Sequence, residues 1–145
     1  MEKQTLKSIG AIAAGFFLTL ILTIGLDILL ESTGIFTSTK EQQIQGLNTP
    51  WFYIIAISYR VIFTIIGGYI TAKLAPTKPM KHVLILGIIG TVLALIGNIV
   101  GQYIPQTKNA LPLWFAIALV VTALPSVWIG GRLATKNIIS SSTIL

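Results

Sequence analysis

Hydrophobic residues fall into four long runs, Ile9 to Leu30, Trp51 to Ala72, Val83 to Tyr103 and Leu113 to Leu133, separated by shorter polar stretches. Each run has about the 20 residues a helix needs to cross a hydrocarbon core. A soluble core helix would be shorter and polar along one side. The pattern predicts an all-α, polytopic membrane protein: a single domain over residues 1–145 built as a bundle of four transmembrane helices. The first run follows Lys3 and Lys7, as a secretory signal would, but its apolar part exceeds the ~7 to 15 residues of such a signal. Asp27, Glu31 and Ser32 follow without a small-x-small cleavage site, so the run reads as a retained helix.

The connections carry their own signals. Ser38-Thr39-Lys40-Glu41 has capping-box spacing ahead of Ile44 and Leu47, which suggests a short surface helix in the first loop. Leu74-Ala75-Pro76-Thr77-Lys78-Pro79 is a tight turn whose prolines end one helix and start the next. Basic residues set the orientation. Lys3, Lys7, Lys73, Lys78, Lys81, Arg132 and Lys136 lie at both termini and the second connection, against Lys40 and Lys108 elsewhere. The positive-inside rule then puts both termini in the cytoplasm of a multi-pass protein of the cell (inner or plasma) membrane. Trp51, Tyr53, Tyr103 and Trp114 fall at the opposite interface, where amphipathic rings settle.

Composition narrows the chemistry. Hydrophobic residues make up 54% and charged residues 10%, where about a quarter is usual for charge. The mean hydropathy is +0.86. The absence of cysteine excludes disulfides and thiolate metal sites, and the single histidine, His82, excludes histidine clusters, so neither a metal nor another cofactor is expected. The net charge of +6 resides in loops between apolar runs rather than in a stripe on a polar helix. That argues against a nucleic-acid partner and for the lipid bilayer. Lys78, Lys81 and His82 are expected to meet anionic lipid headgroups.

Small residues mark the faces on which helices meet in lipid, where apolar contact between helices is weakly favoured. Gly67, Gly68, Gly87, Gly90, Gly97, Gly101, Gly130 and Gly131 are the candidate packing positions, with Gly97-x-x-x-Gly101 in the third helix. They fit internal packing of the bundle, or assembly with another copy or a membrane partner. Trp51-Phe52, Gly67-Gly68 and Lys73 recur at Trp114-Phe115, Gly130-Gly131 and Lys136. The echo reads either as two parallel helical hairpins about an axis along the membrane normal or as features shared by any inward-running helix. Pro125 should kink the fourth helix and free a carbonyl that Thr122 or Ser126 helps to satisfy.

Arg60 is the most informative residue. It follows Trp51 by nine positions, about 13 Å along a helix. Arginine near the bilayer centre costs about 2.5 to 3.5 kcal/mol on insertion scales and needs a partner. Asp27, about 5 Å inside the outer boundary, is within reach of a snorkelling guanidinium. Tyr59, Asn98 and Gln102 have compatible depths and complete a candidate polar cluster. The pair reads as an anion or solute site or as a structural tie between two helices.

Gly25 and Asp27 before Thr33-Gly34-Ile35-Phe36, then Tyr59-Arg60, Gly67-Gly68-Tyr69, Thr71-Ala72-Lys73-Leu74-Ala75-Pro76, Pro79-Met80, His82, Leu86-Gly87, Leu124-Pro125 and Gly130-Gly131-Arg132-Leu133 span most of the chain. In these the chain resembles an uncharacterised family of small four-helix bacterial integral membrane proteins. The resemblance implies the fold and no activity. The first loop departs from it, with Thr37-Ser38-Thr39-Lys40 where a proline is usual after the phenylalanine. Together these features lead us to expect a structural, accessory or self-associating membrane protein, with a small transporter or channel component around Arg60 and Asp27 as the alternative. No enzyme is expected, because no spacing joins Asp27, Glu31 and His82 into an acid–base set, and no catalytic residue is assigned.

Overall fold

A computed structural model describes residues 2–35, 50–103 and 112–142, except for the side chains at 50, 102, 141 and 142. The surface helix expected around Ser38 to Glu41, and the side chain of Gln102, lie outside the described residues. Four helices are present: α1 (Glu2–Ser32), α2 (Pro50–Leu74), α3 (Pro79–Tyr103) and α4 (Leu113–Ser142). All four are long and apolar enough to cross a membrane. Two of them outrun their apolar spans. α1 starts at Glu2, ahead of Ile9, and α4 continues past Leu133 to Ser142. Nothing there breaks a helix, since the added residues include no proline and no glycine beyond the apolar boundary. Hydrocarbon thickness limits the apolar run, not the helix.

The α2–α3 turn is as tight as its prolines predict. Pro79 takes the first helical position, where its missing N–H is no loss. Lys78 adopts a left-handed φ of 44° to make the reversal, and its carbonyl accepts from Lys81 N at 2.9 Å. This turn, the start of α1 and the end of α4 lie at one end of the bundle, the terminal end; the opposite is the far end.

Three interfaces are built from glycines that face each other in pairs. In the antiparallel α1–α2 hairpin, a Cβ on Gly15 would overlap the Thr71 hydroxyl, and one on Gly67 would overlap the Thr19 hydroxyl. The same antiparallel register gives both pairs, since a step of four along α1 is matched by a step of four back along α2. Antiparallel α3 and α4 repeat the device with valine: Gly131 takes Val83 and Gly87 takes Val127. Between α2 and α4 the contact is with backbone, Gly68 on the Val127 carbonyl and Gly130 on the Ile65 carbonyl. Each glycine there meets the residue three before its counterpart, so these helices run the same way, offset by 62 (130 − 68 = 127 − 65). Close backbone approach of this kind is how helices gain dispersion contact in lipid. Each Gly-Gly doublet therefore serves two neighbours.

The doublets do not fit a twofold axis along the bundle, the first of the two readings of the echo. In α2 the glycine facing the hairpin mate precedes the one facing α4, whereas in α4 it follows the one facing α2. For parallel helices of one hand, turning 100° per residue, this places α1 and α3 on the same side of the α2–α4 layer. A twofold axis along the bundle would place them on opposite sides. The helices accordingly form a ring in the order α1, α2, α4, α3, and α1 has no Cα within 8 Å of α4.

Gly90, Gly97 and Gly101 do not share in the internal packing, because a Cβ at any of them would meet nothing within 4 Å. The reason is geometric. Leu86 touches α1, at 3.2 Å from a Cβ placed on Gly15, and the three glycines project within about 60° of Leu86. That side of α3 faces α1 near the terminal end and is uncovered toward the far end, where Gly97 is exposed. Pro125 also differs from expectation. It frees the Val121 carbonyl, but Thr122 and Ser126 donate to Ala118 and Thr122 carbonyls, at 2.7 and 2.6 Å.

Candidate functional site

The register that interlocks Gly15 with Thr71 and Thr19 with Gly67 continues two turns toward the far end of the hairpin. There it sets Asp27 opposite Tyr59 and beside Arg60. Arg60 Nη2 donates to Asp27 Oδ2 at 2.7 Å. Tyr59 OH donates to Asp27 Oδ1, so each carboxylate oxygen has a donor from α2. The guanidinium carbon lies 5.3 Å from the centroid of the Tyr59 ring. Tyr59 is buried with Ala56 and Phe115, packed by Leu26 and Leu30 of α1 and Tyr53 of α2. The Arg60 and Asp27 side chains keep 28% and 36% of their surface exposed. A charge-assisted pair with a hydroxyl on the second oxygen is a geometry that lowers the cost of both charges in a medium of low dielectric.

Asn98 makes its hydrogen bond within α3 rather than to Asp27 or Arg60. Its Nδ2 donates to the Ala94 carbonyl of its own helix at 2.7 Å, because equal depth does not set the direction in which α3 presents it.

Where α1 and α3 part, the ring encloses a half-open crevice of about 270 Å3 lined by all four helices. Most of its hydroxyls donate to backbone carbonyls of their own helices: Thr19 to Gly15 O at 2.9 Å, with a second acceptor in Phe63 O of α2 at 3.3 Å, and Thr64 to Arg60 O at 2.7 Å. Such bonds leave the methyl groups facing inward, so the wall is apolar in effect. Arg60 is the charged residue of that wall. No described protein family, curated protein or solved structure matches this chain. Geometry alone must therefore carry the functional reading.

Lys78 and Lys81 are exposed at the start of α3, and His82 is half-buried with its Nδ1 3.3 Å from the Lys78 carbonyl. Among the described residues, no three His, Asp or Glu side chains converge as metal ligands. A second basic feature lies on α4. The Arg132 guanidinium lies 4.4 Å from the centroid of the Trp128 ring, and both line a shallow groove with Met80 and Lys136. The signal was present as Trp128, Arg132 and Lys136 at steps of four on one face. The crevice left no comparable trace, because its opening depends on how far α1 and α3 diverge.

Proposed function

We propose that this is a structural or accessory protein of the cell membrane, with both termini and the α2–α3 turn in the cytoplasm. It works through lateral contacts inside the bilayer, with a bilayer component, another copy of itself or a membrane partner. The observation that supports this is the half-open crevice lined by all four helices, whose wall on α3 is Gly90 with nothing within 4 Å of a Cβ, which we read as an opening toward the bilayer between α1 and α3. Asp27 offsets the charge of Arg60, so the pair offers hydrogen-bond donors at contact range rather than a field that draws ions through the bundle. The distribution of lysines and arginines supports the orientation.

A second reading is a small transporter or channel component with its polar site at Arg60 and Asp27. It is favoured by the exposure of Arg60 to the crevice. Cysteine labelling separates the two. The chain has no cysteine, so Thr64→Cys places a single thiol in the crevice wall. Lateral access predicts protection from a membrane-impermeant maleimide and labelling by a lipid-soluble one. Labelling by the impermeant reagent from outside would refute lateral access and establish a water-filled path.

A further inference from the structure

The crevice carries charge at one level only. From Phe16, Leu86 and Val127 toward the far end its wall is mostly methyl, methylene and ring carbon; the hydroxyls of Thr19, Thr64, Thr122 and Ser126 donate to backbone carbonyls, and Thr23 adds a hydroxyl about one turn from the level of Arg60. At the Arg60 end, one guanidinium N–H is used by Asp27, and the remaining N–H groups have no partner among the described residues. An ionised donor left without an acceptor in hydrocarbon is strongly disfavoured. The structure thus presents a binding element for an anion, already oriented by Asp27 and packed against Tyr59.

Length and access identify the source of that anion. Asp27 lies three residues from Leu30, the last apolar residue of its span. The guanidinium bonded to it is therefore about 5 Å inside the hydrocarbon boundary, within reach of a headgroup. On α1 the crevice is lined from Ile24 to Phe16, and Phe16 lies 14 residues from Leu30, about 21 Å from the boundary. That depth exceeds one leaflet, roughly half of a 30 Å core, so the crevice is long enough for an acyl chain that reaches the bilayer centre. On the α3 side, Gly90 and Ala94 offer no bulk beyond a methyl group, so an alkyl chain can lie flush against the helix.

We propose that the crevice is a binding site for one anionic amphiphile drawn from the bilayer, its acidic headgroup on Arg60 and one acyl chain along Gly90 and Ala94. The proposal rests on the lateral-access reading and names the occupant. Asp27 holds one edge of the guanidinium, and the headgroup takes donors that Asp27 leaves. Four of the crevice hydroxyls already donate to backbone carbonyls, so the headgroup is recognised chiefly by the guanidinium donors and the chain by shape.

The test is native mass spectrometry of the full chain in detergent, titrated with phosphatidylglycerol or with phosphatidylcholine of the same acyl chains. One saturating phosphatidylglycerol adduct is expected, about tenfold tighter than phosphatidylcholine, the worth of one charge-assisted hydrogen bond. Arg60→Gln should remove the preference. Because that change also leaves Asp27 with one donor fewer, Gly90→Leu is the second variant. It fills the crevice where a side chain meets nothing within 4 Å and keeps the ion pair, and it should abolish the saturating adduct. Equal affinity for the two lipids, or an adduct undisturbed by Gly90→Leu, would overturn the proposal. Full competition by glycerol phosphate without a tail would overturn a lipid source in favour of a free anion. A stable dimer that excludes lipid would assign the crevice to a second copy. Thr64→Cys labelling is read separately, so lateral access can survive the loss of this particular ligand.

Discussion

Breaking the Arg60–Asp27 pair from each side gives the most direct measure of what holds the far end together. Arg60→Ala leaves Asp27 ionised with only the Tyr59 hydroxyl, whereas Asp27→Asn keeps the shape and removes the charge. Removing one partner of a fully buried pair costs about 3 to 5 kcal/mol, while a single polar contact between membrane helices averages about 0.6 kcal/mol. With 28% and 36% of the side chains exposed, solvent and lipid headgroups screen part of the interaction. A loss of about 2 kcal/mol for either single change and a coupling of about 1 to 1.5 kcal/mol follow from these bounds. The double variant should therefore lose less than the sum of the singles. Reversible unfolding in mixed detergent and SDS micelles, followed by helical circular dichroism, supplies all four free energies. Strictly additive losses would refute the coupling, because two side chains bonded at 2.7 Å cannot act independently.

Glycine substitutions should divide by place rather than by residue type. Gly68→Ala and Gly130→Ala drive a methyl into a neighbouring backbone carbonyl and should cost about 3 kcal/mol in the same unfolding assay, whereas Gly97→Ala should be neutral or stabilise by up to about 1 kcal/mol. Equal effects at the two classes of site would contradict the interlocked geometry. Thr71 Oγ1 is buried with no hydrogen-bond partner among the described residues, so Thr71→Val, which keeps the shape over Gly15, should be neutral or stabilise by about 1 kcal/mol. A loss of more than that in the unfolding free energy would mean that the hydroxyl makes a contact of its own with α1.

The four spans were legible because crossing a hydrocarbon core demands a minimum apolar length, and these runs meet it without internal breaks. Helix ends were not, since α1 and α4 continue into water, where only a breaker would stop them. Small residues at steps of four revealed that each helix has contact faces, but a single helix does not say which face meets which neighbour. The stripe Gly15, Thr19 on α1 meets Gly67 and Thr71, one residue around from the Thr64, Gly68, Ala72 stripe of α2. Arg60 and Asp27 were legible as opposite charges at reachable depths, which in hydrocarbon leaves few partners to choose from. Asn98 shared the depth without sharing the direction, and a neutral amide can satisfy itself on its own helix as an arginine cannot. The crevice was out of reach because it arises from the divergence of α1 and α3, a property of two helices together.

Chain order gives the ion pair a consequence for biogenesis. α2 is the least apolar of the four spans, and its arginine adds about 2.5 to 3.5 kcal/mol to entry from the translocon. Synthesis delivers α1 first, so Asp27 and the Gly15–Thr19 face are in the bilayer when Arg60 arrives. The acid is waiting for the base. α2 then enters as the second half of a hairpin, and the energetic unit of insertion is α1 with α2. α3 and α4 share no such pair among the described residues and can partition one at a time.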